Sequence, residues 1–526
     1  MLCVTITQPR HRGILAQHRF LAEHGVSLVE MRLDHLQTRV NFTRLLSNRP
    51  TPVIITIRRP CDGGEYQFSE DSRQMLLRAA IVEGVEYIDL EDGVAADTPR
   101  YGKTKRIISY HNFQQTPENL DEIFERLAKQ DPDIIKICTM ANNPLDTLRM
   151  LKLVEQKNKL LPTIGFCMGD FGIPSRILCT RFGAPFTYCC MDSRSPAAPG
   201  QISWEEMTQL YRVDKISEKT QIYGVIADPV GHSLSPLIHN SAFAHLQMDD
   251  HLYLPLRVQQ EFLNEMLETI CPELNIKGLS ITIPHKESVL PKLDKRDTSV
   301  NVVGACNTLL WAGSPEEKIR VGINTDYQAA MTALAEVMNN PEIPQYTPWT
   351  EPNDDPETGM PIKQPLSGKS VLILGAGGVG KAVAIGAARR GAEIILADGE
   401  TSRADDLAHK LNMEGYNARS ILWTQRHFCK ANILINCTPI GMYPRQDATP
   451  FEAKYLNADM TVFDVVYNPE NTLLLKEAKQ AGCATVSGLS MFVLQAGLQF
   501  QHFTGIAPPL EIMRDVVKKA TSTVKW

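Results

Sequence analysis

The sequence predicts an α/β chain in two parts: an N-terminal (α/β)8 TIM barrel, then a unit of two α/β lobes. Three observations carry this reading. Eight short apolar runs, each followed by a helical pattern, fill the first ~210 residues. A second series of short strands, each ending in polar residues, begins at Gln221. A glycine-rich turn at Gly375–Gly380 follows an apolar strand and opens an alanine-rich helix. At 526 residues the chain has length for three domains, each with its own core.

The barrel runs are Leu2–Thr7, Leu28–Asp34, Pro52–Arg58, Glu86–Glu91, Arg106–His111, Ile134–Met140, Pro162–Met168 and Phe186–Met191. In such barrels the chemistry sits at the C-terminal ends of the strands, and polar residues gather there. The second run carries Glu30, Arg32 and Asp34 at alternate positions, which places them on one face of a strand. The third ends at Arg58, before Asp62-Gly63-Gly64-Glu65, and the fifth ends in Ser109-Tyr110-His111-Asn112-Phe113. Arg176 follows the seventh, and Ala198-Pro199-Gly200-Gln201 follows the eighth. Lys136 lies inside the sixth, among β-branched residues. A lone lysine there snorkels to solvent more often than it reacts. With these neighbours it reads as an amine nucleophile, and apolar surroundings with a nearby cation are expected to depress its pKa.

A charged stretch near 212–220 precedes the second part. Its first strand, Gln221–Ala227, leads into Asp228-Pro229-Val230-Gly231-His232-Ser233-Leu234-Ser235-Pro236, where two hydroxyls sit just before a helix and can reach one carboxylate together. Polar residues then end three more strands: Thr282 to Lys286, Asn307-Thr308, and Asn324-Thr325-Asp326. Residues 339–366 hold seven prolines without apolar periodicity and read as a flexible insertion. In Val371-Leu372-Ile373-Leu374-Gly375-Ala376-Gly377-Gly378-Val379-Gly380 the context is that of a Rossmann dinucleotide site.

Composition excludes several classes. With 43% hydrophobic and 22% charged residues the chain is ordinary globular material. A net charge of −6 argues against nucleic acid, so anionic ligands must be attracted locally by arginines, lysines and helix N-termini. No run of 18 apolar residues occurs, which argues against a membrane role. The twelve cysteines sit mostly inside strand patterns without metal-ligand spacing, so no metal is expected and a cytoplasmic setting is.

Two resemblances follow from these motifs. Through Glu30-x-Arg32-x-Asp34, Ser109-x-His111-x-Phe113-x-x-Thr116-Pro117, Lys136 and Ala198-Pro199-Gly200-Gln201, residues 1–212 resemble type I 3-dehydroquinate dehydratase. That implies an imine on Lys136, proton transfer by His111, hydroxyl and charge contacts from Glu30, Arg32 and Arg58, and carboxylate binding by Arg176 and Gln201. Ala197 stands where the family has serine, so that hydroxyl is missing or comes from Ser193 or Ser195. From Gln221 onward the chain resembles shikimate dehydrogenase, with Asn436-Cys437-Thr438-Pro439, Asp464-Val465-Val466-Tyr467 and Gly488-Leu489-Ser490-Met491 through Gln495 completing the pattern. That implies Lys286 as acid/base with Asp326 beside it, Asn307 and Gln495 on hydroxyls, and Ser233, Ser235 and Thr282 on the carboxylate. Ser280 and Ala329 depart from the family's asparagine and glycine.

Together the resemblances imply a bifunctional enzyme converting 3-dehydroquinate through 3-dehydroshikimate to shikimate. The division would be 1–215 for the barrel, 221–335 for the substrate lobe, 339–366 for the insertion, 367–485 for the Rossmann lobe, and 486–526 for a helical segment returning to the substrate site. Quinate preference, or an inactive regulator built from the same domains, are the alternatives. Gly375, Gly377, Gly378 and Gly380 would hold the cofactor. The family default is NADP(H). Asp398, 23 residues beyond Gly375, suggests NAD(H) instead, because a carboxylate there accepts from a ribose hydroxyl and opposes a phosphate. Arg403 could still reach a phosphate.

Overall fold

The computed structural model describes residues 1–194, 196–231, 233–313, 318–338 and 365–521. Ser195 and residues 339–364, nearly all of the proline-rich stretch, lie outside the described residues. The chain divides into two compact units, one of residues 1–233 with 249–276, the other of residues 234–248 with 277–526.

The first unit holds a nearly closed barrel of parallel strands. They are β1 (Leu2–Ile6), β2 (Val29–Arg32), β3 (Val53–Thr56), β4 (Tyr87–Glu91), β5 (Lys105–Asn112), β6 (Ile134–Met140), β7 (Thr163–Met168) and β8 (Thr187–Cys190), paired in the order β7-β6-β5-β4-β3-β2-β1-β8. Parallel strands covered on both faces are apolar almost throughout, which is why all eight stand out as runs. One expectation needs correction. β2 ends at Arg32, and Asp34 sits in the single turn Leu33–His35 beyond it. Instead of sharing a strand face with Glu30, Asp34 turns back to take both arms of Arg32 at 2.9 and 2.8 Å. The same unit carries β9 (Gln221–Ala227) and β10 (His251–Arg257), a parallel pair in register from Gln221↔His251 to Ala227↔Arg257.

In the second unit, β11 (Ile276–Ile281) and β13 (Thr308–Gly313) pair antiparallel, as do β13 and β14 (Lys318–Ile323), while the two-residue β12 (Lys295–Arg296) runs parallel to β14. A separate sheet of six parallel strands follows: β15 (Ser370–Leu374), β16 (Glu393–Ala397), β17 (Ala418–Ser420), β18 (Ile433–Asn436), β19 (Thr461–Asp464) and β20 (Ala484–Ser487). Its order, β17-β16-β15-β18-β19-β20, reverses direction between β15 and β18, and ligands bind beyond the carboxyl ends of strands at such a switch point. Helices Thr325–Met338, Gly378–Ala388 and Gly488–Thr504 share one core with this sheet. Small residues let them approach closely, and Ala329 is fully buried in that core. Among the described residues no helix is long and apolar enough to cross a membrane.

Candidate active sites

At the carboxyl end of the barrel one narrow cavity is lined by Glu30, Arg32, Arg58, His111, Lys136, Arg176 and Gln201 together. Glu30 and Arg32 both reach it from β2, and the others come from further strand ends or the segments beyond them. Ala197 also lines it, whereas Ser193 is exposed and does not. Lys136 is 5% exposed. Its Nζ donates to Asp89 Oδ2 at 3.0 Å, stands 3.6 Å from Glu30 Oε1, and lies 4.0 Å from the centroid of the Tyr188 ring.

This environment overturns the expected depression of the Lys136 pKa. Burial alone lowers it, but the carboxylates of Asp89 and Glu30 outweigh burial and the Arg58 cation, and the net direction is upward. The resting side chain is therefore an ammonium. Asp89, 1% exposed, accepts from Lys136, from Arg58 at 2.9 Å and from Ser109 Oγ at 2.6 Å. Burial pushes its carboxyl up, yet Arg58 and Lys136 hold it far below the ordinary carboxylate range. Glu30 accepts from Thr5 Oγ1 at 2.9 Å and Thr56 Oγ1 at 2.8 Å.

His111 has the opposite shift. Burial, with Arg58 and Lys136 nearby, drives its pKa well below the usual histidine value, so the ring is neutral and able to accept a proton. Its Nδ1 is buried without a partner among the described residues. Arg176 is 1% exposed and donates to Pro199 O at 3.1 Å; its guanidinium lies 4.5 Å from the Phe166 ring. Among the described residues no carboxylate pairs with it, so its buried charge is left for an anionic ligand. Gln201 fixes the loop, accepting from Ala197 N at 2.9 Å and donating to Thr5 Oγ1 at 3.4 Å.

In the second unit Lys286 Nζ donates to Asp326 Oδ2 at 2.6 Å, with both side chains mostly shielded. Asp326 is set by the start of its helix, where its N–H donates to Asn324 Oδ1 at 3.0 Å. The stem of Lys286 passes the glycine turn: a Cβ added at Gly378 would lie 3.7 Å from Lys286 Cδ. Asn307 is buried, its amide donating to Thr325 Oγ1 and accepting from Thr325 N, both at 2.9 Å. Thr282 is half-buried just beyond β11, and Ser235 is buried at the start of the helix Ser235–His245. Gln495 is half-buried on Gly488–Thr504, donating to Phe492 O at 3.2 Å. Ser233 belongs to the first unit, half-buried, its N–H donating to Val230 O at 3.0 Å.

The glycine turn fits a dinucleotide. Gly375 is left-handed at φ 98°, and a Cβ on Gly380 would stand 2.0 Å from Gly375 O, so neither tolerates a side chain. A Cβ on Gly377 would meet nothing within 4 Å: that side of the turn is open. Gly377 borders a cleft of ≈ 460 Å³ that also touches Lys381, Arg403 and Lys410. Asp398 is occupied by backbone, its Oδ2 accepting from Ala376 N at 2.7 Å and its Oδ1 from Glu400 N at 2.8 Å. Arg403 pairs with Glu400 at 2.9 Å. Among the described residues there is no cluster of three or more potential metal ligands.

Comparison with known proteins decides the family. Residues 2–218 match the family model of type I 3-dehydroquinase, 225–309 that of the shikimate dehydrogenase substrate binding domain, and 488–518 that of the shikimate 5'-dehydrogenase C-terminal domain. Over 508 residues the chain is 35% identical to the chloroplastic bifunctional 3-dehydroquinate dehydratase/shikimate dehydrogenase of Arabidopsis thaliana, covering 94% of this chain and 81% of that relative. The chain belongs to this bifunctional family. Its second part is 36% identical over 311 residues to the shikimate dehydrogenase (NADP(+)) of Methanothermobacter thermautotrophicus, covering 58% of this chain and 98% of that one. A solved shikimate dehydrogenase in complex with NADP+ superposes with a TM-score of 0.50 at 31% identity, covering 59% of this chain and 98% of that one. The polypeptide thus joins a lyase to a nicotinamide-dependent oxidoreductase.

Within this dehydratase/dehydrogenase, sequence reading missed Asp89, Tyr188 and Gln499. Asp89 and Glu91 alternate in an apolar strand just as Glu30 and Arg32 do, and that signal was available. Gln499 follows Gln495 by one helical turn and is buried. It accepts from Ser280 Oγ at 2.8 Å and donates to Asn307 O at 2.9 Å and Thr308 Oγ1 at 3.0 Å. The serine that departs from the family pattern thereby supports the strand end carrying Asn307.

Proposed function

We propose that the barrel dehydrates 3-dehydroquinate through an imine on Lys136, and that the second part reduces 3-dehydroshikimate to shikimate by proton donation from Lys286, with NAD(H) preferred to NADP(H). The observation that carries the first half is one cavity holding a lysine ammonium, a neutral histidine and an arginine without a carboxylate partner.

Arg176 and Gln201 receive the substrate carboxylate, with Arg32 and Glu30 turned toward its hydroxyls. Lys136 gives up a proton before it can attack, and neutral His111 is placed to take it. The amine adds to the ketone and water leaves, giving a protonated imine. His111, again neutral, removes the α-proton, and the electron pair moves toward the imine carbon. The β-hydroxyl then departs as water with the proton that His111 returns, and hydrolysis of the imine frees Lys136. Arg58 and Asp89 keep the surrounding charge balanced throughout.

In the second part, Ser235 and Thr282 hold the carboxylate, while Asn307 and Gln495 take hydroxyls. Gly375, Gly377, Gly378 and Gly380 would cradle the pyrophosphate of the dinucleotide, which would supply the hydride when bound. Lys286 protonates the oxygen that becomes the hydroxyl and regains its proton from solvent, while Asp326 fixes Nζ. NAD preference is supported by the carboxylates of Asp398 and Glu400 beside the turn and by the capture of Arg403 by Glu400. The labour divides as 1–215 for dehydration, with 221–335, 367–485 and 486–526 for reduction.

The test is the purified chain with 3-dehydroquinate and reduced nicotinamide, following absorbance and product together. Shikimate is the expected product. Turnover of 3-dehydroshikimate alone refutes the barrel assignment. Borohydride with 3-dehydroquinate should trap an adduct on Lys136, and Lys136→Ala should dehydrate nothing while still reducing 3-dehydroshikimate.

A further inference from the structure

Tyr188 sits on β8 in the floor of the barrel cavity, 3% exposed. Its ring packs against Phe186 at 5.5 Å and Phe166 at 6.0 Å between centroids, which fixes its plane. The face so fixed is turned to Lys136, with Nζ 4.0 Å from the centroid. Its hydroxyl is buried with no hydrogen-bond partner among the described residues. A buried phenol that bonds to nothing destabilises the fold, so the hydroxyl does not account for an aromatic residue here. The ring face does, because a desolvated cation over an aromatic face is held by the ring quadrupole.

We propose that the face of Tyr188 is a further catalytic group of the dehydratase, stabilising positive charge on the Lys136 nitrogen as ammonium and then as protonated imine. The proposal rests on the Lys136 imine proposed above. The amine adds to the ketone carbonyl, one molecule of water leaves, and the nitrogen keeps one proton and one positive charge. That charge draws the electron pair released when His111 removes the α-proton. A carboxylate at this distance also stabilises the cation but competes for its proton. A π face stabilises it with no lone pair basic enough to take that proton. Asp89 and Tyr188 thus share the nitrogen, and only the carboxylate competes for its proton.

The test uses the full chain with Tyr188→Leu, Tyr188→Met and Tyr188→Phe. The Leu and Met variants should lose about thirtyfold in dehydratase kcat, the scale of a desolvated cation–π contact. Their borohydride trapping on Lys136 should reach half-maximum at lower pH than in the natural chain, because an ammonium without the ring gives up its proton more readily. Tyr188→Phe should recover most of that rate and restore the trapping pH. The reductase activity of the same chains reports folding. A non-aromatic variant with unchanged trapping pH overturns the proposal, and so does a Phe variant as impaired as Leu, which would move the role to the hydroxyl. Absence of any trapped adduct in the natural chain would instead refute the Lys136 imine itself.

Discussion

Replacing Asp89 by asparagine keeps the shape of the side chain and removes one charge from a buried balance. Lys136 Nζ lies 3.0 Å and Arg58 2.9 Å from Oδ2, and the next carboxylate, Glu30, is 3.6 Å from Nζ. At an effective dielectric of about 20, a pair 3.0 Å apart interacts by roughly 5.5 kcal/mol, equivalent to about 4 pH units on the lysine. Glu30 closing in and Arg58 moving away recover part of this, so about 2 pH units is the expected effect. Of the two cations only lysine can shed a proton, since a guanidinium stays charged. The Asp89→Asn variant should therefore trap with borohydride and 3-dehydroquinate at a pH about 2 units lower than the natural chain. The change should also cost stability, because a buried ion pair that loses one partner typically loses about 3–5 kcal/mol. The assay is trapping yield against pH by mass spectrometry, with reductase turnover of the same sample as the folding control. Unchanged pH dependence in a folded variant would show that Asp89 does not set the charge of Lys136.

Three further outcomes are expected. Lys286→Ala and Asp326→Ala should each lower reductase kcat by at least about a hundredfold and leave dehydration intact; an effect confined to KM would make both ordinary substrate binders. Burial raises the Asp464 carboxyl to about 6, against donors from Thr472 at 2.6 Å and Asn436 at 2.9 Å. The folded chain therefore keeps a proton that the unfolded chain sheds, and this contribution to stability, about 3 kcal/mol, is present below pH ~4 and lost as pH rises through ~6. Asp464→Asn should flatten denaturant midpoints across that window; an identical pH slope in the variant would refute the assignment. For the cofactor, kcat/KM should favour NAD, and Asp398→Asn should narrow the preference. A clear NADP preference untouched by Asp398→Asn would mean that Asp398 serves only the backbone of Ala376 and Glu400.

The sequence carried what depends on order along the chain and missed what depends on neighbours across it. The eight barrel strands were legible because a strand covered on both faces must be apolar nearly throughout, and the polar residues ending them were conspicuous against that background. The charge of Lys136 was not legible. Ile134, Ile135, Ile137 and Cys138 predict a lysine in apolar surroundings, yet its electrostatic partners come from β2 and β4, 47 residues away in the case of Asp89. Register brings them to Nζ, and no local pattern states the register. Asp34 failed for a related reason: alternation placed it on a strand face, but the strand stops at Arg32, whose two arms claim the carboxylate. Tyr188 and Gln499 are inconspicuous in the sequence because each lies in an apolar element, and only the ring's position under Nζ, or an amide's reach to Asn307, sets them apart from the core. The reactive amine is therefore tuned by groups that each look structural alone. Asp89 holds the proton on Lys136; on the mechanism proposed above, substrate entry shifts that proton to His111, whose pKa is lowered by burial and cationic neighbours. Opposite shifts on two groups lining one cavity suit the addition, proton abstraction and hydrolysis proposed for it.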